Sequence, residues 1–498
     1  MERIRYQTSS STIAAVFLLC LLFYVLTWSG HHYSIDGVVM FQYAKALLFQ
    51  NSFSMDPPVV WGDFVFVVSK WAIGLSLAYI PVVQLLAVTF FQDTPSFQQI
   101  PYQPDTPFNA DLLVNEAYRA SSLLHPVITA LTVVILLLLA RRVRLPTRQA
   151  VTAALLFGLL SPAAVYAKFD FAQPLGSLLL LLTVYLLLLT RQRGLITVGL
   201  AGLTLGLAIL TRTEFLLFPT PLLIAATYFL IPQATNHDQQ TRLGRRRLIG
   251  TFCLATIVGL FVLVNLWLNQ VRFGAISSVG YSPTSEFSLS ITHFLTAFVG
   301  NLFSPGRGIL IFFPVALFSI HGFSRLYKTD RLAALVLGSI PLGLMLFYAT
   351  WNDWAGGLSW GPRFLIPTLP YLALLGVHGL FSTLRGSKRK GVLALLILLC
   401  AVVTVQGVLF NPLDFFGRLQ LPGDLIVAGT YNFNPQYAPL FADWQLIGQP
   451  LQWDIFWLRR LGERQEIVDW LLPTGLASIA ILLLWRAWKD LQWEEVTS

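Results

Sequence analysis

A chain of 498 residues, 55% of them hydrophobic and only 11% charged, with a mean hydropathy of +0.67, is too apolar to be a water-soluble domain; lipid is its main solvent. The net charge of +9 does not mark a nucleic-acid binder, because the basic residues fall in short clusters between apolar runs and not along one face, a distribution that sets membrane topology. Cys20, Cys253 and Cys400 each lie inside an apolar run, where they act as small hydrophobes, so neither a disulfide framework nor a zinc site is implied.

A helix needs about 20 mostly apolar residues to cross the hydrocarbon core. On that criterion twelve spans are predicted, roughly 11–29, 118–140, 150–167, 175–190, 195–211, 214–232, 249–268, 308–323, 332–350, 363–383, 391–410 and 471–488. The first run, Thr12 to Trp28, lacks a small-residue cleavage site and leads straight into His31, His32 and Tyr33, so it reads as a retained helix. Seven basic clusters are assigned to the cytoplasm: Arg3 and Arg5; Arg141 to Arg148; Arg191 and Arg193; Arg242 to Arg247; Arg325 to Arg331; Arg385 to Lys390; Arg486 and Lys489. They hold 21 of the 33 basic residues, which gives an inner side of positive charge and an outer side of negative charge. An even number of crossings returns both termini to the cytoplasm. The apolar segment Trp71 to Phe91 would break this pattern if it spanned, so it is expected on or in the outer leaflet. The expected fold is an all-α polytopic bundle. Residues 1–410 are expected to form one transmembrane domain whose outer loop, about 30–117, carries juxtamembrane helices; 411–470 is expected as an outer-face segment, and 471–498 as a last span with a cytoplasmic tail.

Ionisable residues gather in the outer loops, and almost none falls in the middle of a span, which places a site at the outer interface; secondary transporters more often hold such groups at the midplane. Residues 34–50 carry Val39, Met40, Tyr43, Leu47 and Leu48 near helical spacing behind Asp36, the pattern of an interfacial amphipathic helix that starts at an aspartate. Asp36 reads equally as an N-cap worth roughly 1 kcal/mol and as a general base, and the two are compatible. Residues 161–179 put Lys168, Asp170 and Gln173 in a short turn between spans, where Pro174 suits the first turn of the next helix. Residues 301–314 and 350–367 place Arg307 and Arg363 among glycines and prolines. Glycine lets backbone approach a ligand, and arginine offers a planar fork for phosphate oxygens. Against this, both arginines suit snorkelling, and Trp351, Trp354 and Trp360 suit an aromatic belt, although Gly356, Gly357, Gly361 and Pro362 exceed what an anchor needs.

The order of these features resembles GT-C glycosyltransferases: a first helix, an outer aspartate opening a juxtamembrane helix, a Y-x-K-x-x-x-x-x-P turn (Tyr166, Lys168, Pro174), an L-T-R loop (Leu210, Thr211, Arg212) and a W-G-P-R-x-L-x-P segment from Trp360 to Pro367. It looks most like bacterial relatives of the protein O-mannosyltransferase and lipid A aminoarabinose transferase families, from about residue 12 to 383. The resemblance implies an integral plasma-membrane enzyme that moves a sugar from a polyprenyl-phosphate-linked donor to an acceptor hydroxyl at the outer face, with inversion. The acceptor is a lipid, glycan or protein, membrane lipids are the further partners, and nucleic acid is not one. By resemblance Asp36 is the base. Relatives often carry an acid directly before the proline of the next outer turn; this chain has Gln173 there, with Asp170 and Lys168 as nearby candidates. Arg363, then Arg307 and Arg212, are expected at the donor phosphate, and Tyr43, Trp351, Asp353 and Trp360 at the substrate. Some relatives bind a divalent metal; His31, His32, Asp63 and His293 are available, but no spacing among them is diagnostic and no specific metal site is expected. The rival reading is a flippase or transporter of a lipid-linked sugar, which would need arginines and a prenyl groove but no base.

Overall fold

The computed structural model describes residues 9–56, 58–61, 64–89, 116–229, 237–278, 280, 287–419, 429–463, 471–479 and 482. Among them, six helices are long and apolar enough to cross a membrane: Arg119–Arg142, Gln173–Thr190, Leu248–Phe273, Arg331–Ala349, Arg363–Thr383 and Gly386–Leu409. Four shorter apolar helices accompany them, Ser10–Leu26, Gly74–Thr89, Leu195–Thr211 and Ile291–Phe303. The chain is therefore an integral membrane protein of helical architecture, with one short antiparallel hairpin, Val59–Trp61 with Phe64–Phe66, among the described residues. Twelve crossings remain an expectation, and so does the place of Gly74–Thr89 relative to the bilayer.

Several expected spans are broken where proline or a capping hydroxyl interrupts the helical bonds. The 150–167 run divides into Thr147–Leu159 and Pro162–Tyr166, because Ser161 turns its hydroxyl to the Ala163 N–H and starts a new helix with Pro162 in its first turn. The 308–323 run becomes Ile309–Phe312, a 3-10 turn Pro314–Phe318, and Ser319–Thr329, since Pro314 has no N–H to continue the first segment.

Lipid tails are as apolar as leucine, so helices associate through close packing at small residues. Gly202 and Gly206 of Leu195–Thr211 lie against Ile257 and Phe261 of His237–Phe273, where a β-carbon at Gly206 would collide with the ring. Gly322 meets the backbone of Leu375, and Gly379 meets that of Phe318, which draws Ser319–Thr329 onto Leu369–Thr383. The centre lies near Arg363–Thr383, whose apolar window is 78% buried, and the rim at Leu248–Phe273, where only 22% is. At the basic end, Arg142 donates to the Leu188 carbonyl from Nε at 3.0 Å and Nη2 at 2.6 Å, which ties the end of Leu124–Arg142 to the last turns of Gln173–Arg193. At the other end, segments 27–36, 167–173, 350–363, 409–419 and 429–456 meet.

Candidate active site

The Asp36 helix, Ile35–Lys45, is capped by Ser34, whose hydroxyl accepts from the Gly37 N–H at 3.2 Å. The expected cap role of Asp36 is thus held by Ser34, and the Asp36 carboxylate is released to the cavity. The helix is also less amphipathic than expected, because Val38 and Phe41 are buried as fully as Val39, Met40 and Tyr43. Gly37 makes this packing possible, since a β-carbon there would strike the Asp170 carboxylate. Arg363 Nη2 donates to Asp36 Oδ2 at 2.5 Å, with each side chain 14% exposed. Gly356, Gly357 and Gly361 adopt φ of 78°, 65° and 58°, the left-handed region that favours glycine, and this turns the chain back so that Arg363 opens the next helical segment beside Asp36. The Arg363 guanidinium stacks 3.7 Å from the centre of the Phe171 ring.

Behind this pair stands a second. Arg212 Nε donates to Glu214 Oε1 at 2.5 Å, while the Tyr348 hydroxyl accepts from Arg212 Nη2 at 2.9 Å and donates to the same Glu214 oxygen at 2.5 Å. Gln173 links the two: with its amide oxygen facing them, it accepts from Arg212 Nη1 at 2.9 Å and Arg363 Nε at 3.3 Å. All of this borders a cavity of about 820 Å³. Lys70, Trp71, Asn269 and Arg272 form one part of its wall; Phe287, Phe347 and Trp351 an aromatic part; Asp353, Asn411 and Asp414 a polar part. Arg272 is buried, and its donors go to the carbonyls of Trp71 (2.8 Å), Leu268 (3.3 Å) and Ser69 (3.4 Å) and to Asn269 Oδ1 (3.2 Å). Among the described residues no carboxylate pairs with it, and its hydrogen-bond acceptors there are all neutral.

No protein-family model and no curated protein matches this chain. Among solved structures, ArnT from Cupriavidus metallidurans bound to undecaprenyl phosphate overlaps it with a TM-score of 0.48 at 14% identity, over 87% of this chain and 77% of that one. ArnT in the apo state gives 0.48 at 13% identity, over 95% and 72%. The apo oligosaccharyltransferase of Archaeoglobus fulgidus gives 0.48 at 13% identity, over 80% of this chain and 55% of that one. The function proposed below rests on the cavity's own side chains.

Of the residues singled out in the sequence, His31, Asp36, Arg212, Trp351, Asp353 and Arg363 line the cavity, and Gln173 bridges two of them. The others serve elsewhere. Arg307 is 1% exposed and gives donors to the carbonyls of Ala355, Gly306 and Gly357 and to Tyr431; it braces the glycine loop and does not line the cavity. Trp360 is buried with its N–H on Gln406 Oε1 at 2.6 Å, and Tyr43 packs in a buried cluster with Met55 and Leu268. Lys168 reaches Asp454 and the Val408 carbonyl, and Asp170 accepts from His32 and the Tyr33 N–H, so neither is a second acid or base in the cavity. His31, at the cavity wall, bonds to Asp454, and His293 Nε2 to the Trp351 carbonyl; Asp63 lies outside the described residues. No group of three metal-ligating side chains occurs among the described residues.

Among the lining residues not singled out are Glu214, Tyr348 and Arg272. Glu214 follows the L-T-R loop by two positions, a spacing that lets it meet Arg212, and was legible as such. Arg272, in the last turn of His237–Phe273, is remote in sequence from any basic cluster, which is the signal that was available.

Proposed function

We propose that the chain is a membrane glycosyltransferase of the GT-C kind, with Asp36 as general base and the donor phosphate held on the Arg272 side of the cavity. The observation that carries this is the distribution of charge. Arg363 is neutralised by Asp36 and Arg212 by Glu214, whereas Arg272 has only neutral acceptors, and a desolvated cation of this sort is the natural seat for an anion. Arg363, expected first at the phosphate, instead fixes the carboxylate. The aromatic wall of Phe287, Phe347 and Trp351 suits the apolar face of a sugar, and grooves between apolar helices suit a prenyl chain.

The reaction is a single displacement. Asp36 takes the proton from an acceptor hydroxyl, and the acceptor oxygen attacks the anomeric carbon opposite the phosphate. The carbon–oxygen bond to phosphate breaks, and the lipid phosphate leaves with the electron pair, inverting the centre. Arg272 stabilises the departing charge, an effect that is large where water is scarce. The acceptor is the hydroxyl of a lipid, glycan or protein. The termini are cytoplasmic and the cavity opens outward, as the basic clusters require.

The test supplies labelled polyprenyl-phosphate sugar to the purified protein in liposomes. Transfer of label to acceptor is expected, with a loss of about 10²- to 10⁴-fold in folded Asp36→Asn. Movement of an intact carrier between leaflets, equal in both proteins, would favour transport. Impermeant thiol labelling at cysteines placed at 36 and 363 is expected from the outer side only.

A further inference from the structure

Residues 28–34 carry the chain from the first helix to the Asp36 helix, and a segment more than 400 positions later holds them. Phe456 N–H donates to the Trp28 carbonyl at 2.8 Å, and Trp457 Nε1 to that of Val25 at 2.9 Å; Arg459 reaches the Ser29 carbonyl. Gly30 has a φ of +72°, and a β-carbon there would run into the Phe456 ring. At the centre is Asp454, a buried side chain whose two oxygens are both engaged. Oδ1 accepts from His31 Nε2 at 2.8 Å; Oδ2 accepts from Lys168 Nζ at 2.9 Å and from the Tyr33 hydroxyl. Asp170, equally buried, takes His32 Nδ1 at 2.8 Å and the Tyr33 N–H at 2.9 Å. Three consecutive residues therefore end on two carboxylates, and Asp36 follows three positions later. The same late segment is tied to the cavity wall: the Asp454 N–H donates to the Leu409 carbonyl at 2.7 Å, just before Asn411 and Asp414.

We infer that Asp454 is a positioning residue for Asp36, so that residues 429–459 are a working part of the catalytic site and not an appended surface segment. The carboxylate does not touch substrate. It fixes the register of residues 31–33, and through them the start of the Asp36 helix and the distance from base to acceptor. A misplacement on the order of 1 Å costs about 10²-fold in rate, so these bonds act on turnover. The inference rests on the reading of Asp36 as the base.

The test compares the full-length parent with Asp454→Asn, and with Tyr33→Phe, which removes one bond to Asp454 without uncovering a charge. In either folded variant kcat is expected to fall about 10- to 100-fold, with the donor KM within about twofold. A second arm places a trifluoromethyl thiol label at Asp36→Cys, with the native cysteines replaced by alanine. Its single fluorine line is expected to split or broaden when Asp454→Asn or Tyr33→Phe is added. Unchanged kcat, a raised KM at constant kcat, or an unaltered line in a folded variant overturns the inference. If the parent transfers no sugar while the line still broadens, the base reading fails and the positioning stands. Should Asp454→Asn not fold, Tyr33→Phe alone decides between these outcomes.

Discussion

Replacing Arg272 with glutamine isolates the charge assignment on which the mechanism depends. A guanidinium has five N–H groups. Four of those in Arg272 are directed at Leu268, Ser69, Trp71 and Asn269, which leaves one on Nη2 for a ligand. The loss is then one hydrogen bond to a charged partner, about 1.5–3 kcal/mol, or roughly 10- to 150-fold in Kd. Arg363→Gln also lowers the local charge by one, because it uncovers the Asp36 carboxylate, but it removes no phosphate donor in this scheme, so lipid phosphate affinity should fall less than in Arg272→Gln while turnover collapses. The assay titrates a polyprenyl monophosphate into detergent-solubilised protein and follows the fluorescence of Trp71 and Trp351, both at the cavity wall. Because Arg272 also braces the Ser69–Trp71 backbone, Arg272→Lys serves as control, keeping the charge and giving intermediate affinity. Parental affinity in folded Arg272→Gln, or a larger loss in Arg363→Gln, would refute the reasoning.

Lys168→Met uncovers the buried Asp454 carboxylate, which still keeps His31, Tyr33 and Arg459; a loss near about 3 kcal/mol, the lower end for a broken buried pair, is expected in detergent unfolding, and adding Asp454→Asn should restore part of it. Gly37→Ala drives a methyl into the Asp170 carboxylate and should cost about 1–3 kcal/mol, read as a lower Tm together with reduced transfer. Acid should weaken the same region. Burial alone would raise both Asp170 and Asp454, but His32 and the Tyr33 N–H outweigh it at Asp170, and Lys168 and His31 at Asp454, so both lie below the ordinary 3.8, Asp454 well below. Their stabilisation is complete above that value and declines as pH falls through the depressed folded values. Thermal unfolding between neutral and strongly acidic pH checks this, and a Tm insensitive to acid would contradict it.

The bundle was largely legible because a span declares itself locally, through apolar length and basic ends. Leu195–Thr211 has the expected limits, and Arg331–Ala349 lies within a residue of 332–350. The breaks at Ser161–Pro162 and Pro314 were written in the sequence too, but hydropathy averages across them. The site was legible only in part. Asp36 and Arg363 were both candidates from their loops, yet their pairing joins positions 327 residues apart, which no spacing rule contains. Arg307 and Arg363 sit in similar glycine-rich settings; what separates them is that carbonyls surround one and a carboxylate faces the other, a tertiary property. Asp454 drew no notice because residues 411–470 have neither a span's hydropathy nor a helical period, and its importance comes from the groups it meets.

The bond from Asp454 back to His31 joins residues 423 positions apart, which has a consequence for synthesis. At about 5–20 residues per second, the ribosome needs roughly 20–85 s after making His31 before its partner exists. Once made, Lys168 waits for the carboxylate that anchors it, so the contacts that hold residues 31–33 close long after the first helix is synthesised. Any truncation upstream of residue 454 leaves His31, Tyr33 and Lys168 without that carboxylate.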